Sequence, residues 1–117
     1  MLTPLELDIM KAVWKRAPIT VRDVQEAIRP ARNLAYTTVM TIMDRLYHKG
    51  FLDRELRART HYYEPAVEYT AVRDEAVGNL VKSFFGSKEK LQEFLSGGEI
   101  RAQRELISPS SLDETLL

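Results

Sequence analysis

The 117-residue chain contains no cysteine, which removes disulfides, thiolate metal sites and cysteine nucleophiles together. Its two histidines, His48 and His61, stand at no metal-ligand spacing, so neither metal nor cofactor is expected. Apolar runs are short: none approaches the roughly 18 residues that a membrane-spanning helix needs. The opening Met1-Leu2-Thr3-Pro4 lacks the basic stretch and apolar run of a signal peptide. A cytoplasmic location without direct membrane association is therefore expected. There is no glycine-rich phosphate loop, no nucleophile–base pairing and no set of convergent carboxylates, which argues against an enzyme. Net charge is missing as well, with 17 Lys/Arg against 17 Asp/Glu.

What is present is an ordinary soluble composition, 44% apolar and 29% charged. The length allows one modest core, or one small domain with an appendage. Zero net charge conceals an asymmetry. Residues 1–62 carry 11 Lys/Arg and 7 Asp/Glu, a net of +4, and residues 63–117 carry 6 and 10, a net of −4. A local basic surface attracts phosphate whatever the rest of the chain contributes.

Thr3-Pro4-Leu5-Glu6 is a helix start, with a capping threonine, proline at the first helical position and a capping-box glutamate. Leu5, Ile9, Val13 and Trp14 then recur at helical spacing to about Arg16. Ala17-Pro18 ends that helix, Ile19 forms a one- or two-residue strand, and Thr20 with Asp23 caps a second helix whose buried stripe is Val21, Val24, Ala27 and Ile28. A loop from Arg29 to Asn33 leads to a third helix, about Ala35 to Lys49, closed by Gly50. Phe51–Leu56 and Thr60–Glu64 read as two strands joined by Arg57-Ala58-Arg59. A long helix from about Glu68 to Phe85 and a shorter one around Lys88–Leu95 follow. Ser96-Gly97-Gly98 is a break; beyond it there is room for one more helix, and Ser108 to Ser111 reads as irregular. Helix, short strand, two helices and a hairpin make a winged helix-turn-helix domain over residues 1–66. Residues 67–117 form a helical dimerisation region. The fold class is mainly α with a small β-wing.

On the third helix, Ala35, Val39, Ile42, Met43 and Leu46 share one arc and form the core face. Thr37, Thr41, Asp44 and His48 lie opposite, with Thr38 and Arg45 on one shoulder and Tyr36, Met40 and Tyr47 on the other. Three exposed threonines lower helix propensity, so their presence asks for a reason. A threonine in the major groove can bond a base or phosphate and touch a thymine methyl. The bland alternative is that they bond back to helix carbonyls. Asp44 would repel phosphate, which places DNA at the N-terminal half, Tyr36 to Thr41, where the helix dipole also favours anions. Arg57 and Arg59 at the hairpin tip, with Arg22, Arg32 and Arg45, are further candidates for DNA contact, and solubility alone would also account for them. Trp14, Phe51 and Leu52 read as core, and one of Tyr62 and Tyr63 as buried with the other exposed.

In the long helix Val72, Ala76, Leu80 and Phe84 repeat every four residues, and Val77, Val81 and Phe85 widen the stripe; Leu91, Phe94 and Leu95 add a second anchor. So broad an apolar face points to a homodimer, with packing on the first helix as the monomeric alternative. A two-fold dimer would present two reading helices to a palindromic operator in double-stranded DNA.

Leu2 to Met10 opening into Val13-Trp14, then Thr20 to Val24, Leu34-Ala35-Tyr36-Thr37-Thr38-Val39-Met40-Thr41-Ile42 and Arg45 to Gly50 closely resemble the penicillinase repressor family. That family includes the β-lactamase and methicillin-resistance repressors, and the match spans about residues 2–65. The resemblance implies a homodimeric transcriptional repressor of dyad-symmetric operators. It also implies inactivation by a membrane-bound sensor protease that cuts the C-terminal region. Carried over by position, base and phosphate contacts fall on Thr37, Thr38 and Thr41, with wing contacts near Arg57 and Arg59. The family's copper-responsive branch uses C-terminal cysteines, which this chain lacks. Two other readings stay open: a winged helix that meets a partner protein, and a regulator that holds a small effector between wing domain and dimer helices.

Overall fold

Thr3 and Glu6 start the first helix by bonding each other's backbone: the Thr3 N–H donates to Glu6 Oε1 at 2.9 Å, and the Glu6 N–H to Thr3 Oγ1 at 3.2 Å. In the computed structural model, which describes residues 1–97, this box opens α1 (Pro4–Arg16). Thr20 and Asp23 repeat the device at α2 (Val21–Ile28). The third helix, α3, is Tyr36–His48, and the wing is β1 (Leu52–Arg57) antiparallel to β2 (Thr60–Pro65). Then follow α4 (Tyr69–Leu80) and α5 (Lys88–Leu95). No helix among the described residues is long and apolar enough to cross a membrane.

The chain forms two compact units, Met1–Asp74 and the residues from Glu75 onward. In the first, the core takes Ile9, Met10 and Val13 from α1, Val21, Val24 and Ile28 from α2, and Val39, Ile42, Met43 and Leu46 from α3. Leu52 and Tyr63 complete it from the wing. Ile19 is the expected short strand: it pairs with Tyr63 through two backbone bonds of 3.0 and 2.8 Å, so the wing is sewn to the α1–α2 connection. Gly50 takes the left-handed conformation (φ +86°) that turns α3 into β1.

Four expectations for the core change. Ala27, expected in the buried stripe of α2, is exposed, and Val21, Val24 and Ile28 alone bury that helix. Ala35 is exposed, because it is the N-cap residue of α3, outside the helical register, and Leu34 packs on the core in its place. Trp14 and Phe51 are half-buried at the core's rim; the Trp14 indole keeps an edge position where its N–H donates to the Val67 carbonyl at 3.0 Å. Tyr63 is the buried tyrosine and Tyr62 is half-buried rather than exposed, since the Arg57 guanidinium lies over its ring, 5.3 Å from the centroid.

Glu6 has a second role. Only 4% exposed, it accepts from Lys49 Nζ at 3.1 Å, tying the start of α1 to the end of α3. The Thr3 backbone bond, and then Lys49, hold its carboxyl below the usual range despite burial. A depressed folded value means that ionised Glu6 stabilises the fold above the unfolded carboxylate range and that this is lost as pH falls through the folded value. Glu6→Gln should cost about 1–2 kcal/mol at neutral pH. Urea midpoints from about pH 6 to about pH 3 should fall more steeply for wild type than for Glu6→Gln; parallel curves would remove this role.

In the second unit the expected single helix to Phe85 is interrupted. After Leu80 the backbone widens into a π-helical turn, Val81–Phe85, which Gly86 (φ +81°) ends; wider turns of this kind interrupt α-helices in short pieces. The Ser87 hydroxyl accepts from the Lys90 N–H at 3.2 Å to start α5, and the Phe85 and Phe94 rings meet at 5.3 Å. No described residue of this unit is buried. Val81, Leu91 and Phe94 are half-buried, as is Val72 earlier on α4, whereas Ala76, Leu80 and Phe84 are exposed. The helix expected after Gly98 and the irregular stretch Ser108 to Ser111 lie outside the described residues.

Candidate nucleic-acid interface

The threonines of α3 are held outward by its burial pattern. With Val39, Ile42, Met43 and Leu46 packed inward, Thr37 and Thr41 are exposed on the opposite side and Thr38 is exposed on one shoulder. The Thr41 hydroxyl donates to the Thr37 carbonyl at 2.9 Å, which is the local bond that competes with outside contacts. To donate to a base it would have to exchange that bond, while its oxygen stays free to accept. Ahead of the helix, Gln25 Nε2 donates to the Leu34 carbonyl at 3.0 Å, so α2 fixes the point at which α3 begins.

Beside this face lies a groove of about 440 Å³. Thr20, Val21 and Arg22 line it from the start of α2, Tyr36 and Met40 from α3, and Arg59, Thr60, His61 and Tyr63 from the wing. The fold thus brings together Arg22, Tyr36 and Arg59, three candidates far apart in sequence. Neither Arg22 nor Arg59 forms an ion pair among the described residues, which leaves both guanidinium groups available to an anion. The hairpin reverses through Ala58 and Arg59, both with positive φ (47° and 69°), as a mirror-image two-residue turn demands. That conformation is costly for non-glycine residues. It sets Arg59 on the groove side.

The other candidates are placed differently. Arg32 is held by Asp8 at 2.7 Å. Arg57 is exposed but bonded to Glu55 at 3.2 Å, which raises its pKa. Arg45 is exposed on the C-terminal half of α3. None of these three lines the groove.

Asp44 is not the free carboxylate that the sequence suggests. Arg54 of β1 donates to it at 2.8 Å, the chief cause of its lowered pKa, and His48 stands 3.5 Å away. The same guanidinium lies 4.0 Å from the Tyr47 ring centroid. Arg54 therefore offsets the Asp44 charge and ties the wing to α3. Sequence reasoning missed it; the signal was the strand alternation that puts Arg54 on the face opposite Asp53. Met40 was missed as a site residue too, although its place on the helix shoulder was read.

A family model described as penicillinase repressor matches residues 2–107. Among curated relatives, the transcriptional regulator BlaI of Mycobacterium tuberculosis (strain CDC 1551 / Oshkosh) is 42% identical over 78 residues, 66% of this chain and 54% of that protein. The chain thus spans about half the length of that relative. The methicillin resistance regulatory protein MecI of Mammaliicoccus sciuri is 26% identical over 110 residues, covering 88% of this chain and 89% of that one. Among solved structures, the monomeric form of Bacillus licheniformis BlaI in complex with the blaP half-operator superposes with a TM-score of 0.52. Its identity is 26%, over 60% of this chain and 85% of that chain.

Proposed function

The chain belongs to the penicillinase repressor family, and from that premise we propose that it is a sequence-specific, DNA-binding transcriptional repressor rather than an enzyme. Exposed Thr37, Thr38 and Thr41 meet base edges in the major groove, and Arg22 and Arg59 seat the flanking phosphates. The carrying observation is the groove that unites the start of α2, the wing side of α3 and the wing tip, with two arginines free of carboxylate partners among the described residues. The similar Bacillus licheniformis BlaI, solved in complex with the blaP half-operator, supports DNA binding by a chain of this fold. The proposal extends to a cytoplasmic homodimer on a palindromic operator, released when a membrane-bound sensor protease cuts the C-terminal region.

Binding to a palindromic operator fragment, recovered by selection from random duplexes, tests it. Affinity should fall steeply with salt, by a slope of about −0.9 per phosphate neutralised. Arg59→Ala should weaken operator and random DNA alike and reduce the slope by about 1. Thr38→Ala or Thr41→Ala should instead lower discrimination between the two by about 1 kcal/mol. Salt-insensitive binding would favour a protein-interaction module, and unchanged discrimination in both threonine variants would move the reading face elsewhere.

A further inference from the structure

We propose that Met40 is a specificity-determining residue that reads thymine methyl groups in the operator, an inference that rests on the DNA-binding reading above. Met40 is 42% exposed and Tyr36, one turn earlier, is 43% exposed. Single apolar residues scattered on a surface need no explanation, but these two are not scattered. They line the same groove together with Val21 and Tyr63, and Arg22 and Arg59 stand in its walls. An amphipathic helix would place a lysine or glutamate at such a position if water were its only neighbour.

The chemistry of the groove selects its partner. A phosphate backbone seated on Arg22 and Arg59 brings base edges against the apolar surface between them. On the major-groove edge of the four base pairs, the only apolar projection is the C5 methyl of thymine; the rest are donors and acceptors. A methionine has no donor to offer a guanine or adenine, and its flexible, polarisable thioether moulds to a methyl group. The threonines beside it supply hydrogen bonds, so Met40 adds a preference that they do not carry alone.

The probe is the duplex that the full chain selects from a random pool, in which each thymine is replaced in turn by 2′-deoxyuridine, which lacks only the methyl. For wild type, at least one position per half-site should lose about fourfold in affinity, the worth of one buried methyl group. In Met40→Ala that position should become insensitive to the replacement. Met40→Gln, close in size but polar, should behave like Met40→Ala, and equal melting temperatures would establish that both variants fold. If Met40→Ala kept the wild-type sensitivity, or if no thymine responded in wild type, the proposal would fall while selection of a duplex left the DNA-binding reading standing. If no duplex were enriched and binding ignored salt, both would fall.

Discussion

Tyr63→Ala is expected to destabilise the first unit by about 3–5 kcal/mol, the usual cost of removing a large aromatic side chain from a core. Tyr63 is 2% exposed and is the largest of the fully buried side chains. It and Leu52 are the two wing residues in the core, and the backbone of Tyr63 exchanges both of its hydrogen bonds with Ile19. One residue thus joins β2 to the core through its ring and to the α1–α2 connection through its main chain. Small domains have roughly 5–15 kcal/mol of stability in total, so the loss is a large share. A melting temperature lower by about 15 °C or more would report it, at about 4–8 °C per kcal/mol for a unit of this size. Tyr63→Phe keeps the ring and should cost no more than about 1 kcal/mol. A Tyr63→Ala protein that melts within a few degrees of wild type would mean that the wing does not depend on this anchor.

The elements that were legible in the sequence are those whose cause is local. Thr3 with Glu6, Thr20 with Asp23, and Gly50 each act within a few residues, and the helix boundaries at those points follow from them. The inward face of α3 was legible for the same reason, apart from Ala35, where the helix begins one residue later than its periodicity suggests. Pairings across the fold were not. Lys49 meets Glu6 across 43 positions, Arg32 meets Asp8 across 24, and Arg54 meets Asp44 across 10. No periodicity encodes such pairs; the packing of α1, α3 and the wing creates them. They changed the site more than the fold, since they engaged Arg32, neutralised Asp44 and left Arg22 and Arg59 as the arginines that line the groove. The π-helical turn was illegible because Val81 to Phe85 fits an unbroken helix equally well.

On the proposed dimer, the substitution pair Leu80→Asp with Phe84→Asp should convert the protein from dimer to monomer and cost the proposed palindromic operator about two to four orders of magnitude in affinity. Phe84 is 79% exposed, Leu95 70%, Val77 46% and Leu80 42%, in a unit that buries none of its described residues. Leaving that much large apolar surface in water is unfavourable by about 25 cal/mol per Å². A second copy of the chain would cover it. Two-fold symmetry makes each substitution count twice, so four buried side chains, each worth about 1.5–3 kcal/mol, would give way to carboxylates that resist burial. Sedimentation at micromolar concentration should show a dimer for wild type and a monomer for the variant. Because both residues belong to the second unit, binding to an isolated half-site should be unchanged. Binding to the full palindrome should lose the factor of about 10²–10⁴ that physical linkage of two sites supplies. A wild-type monomer at that concentration would overturn the dimer, and a variant that lost half-site binding as well would show that these side chains support the reading domain itself.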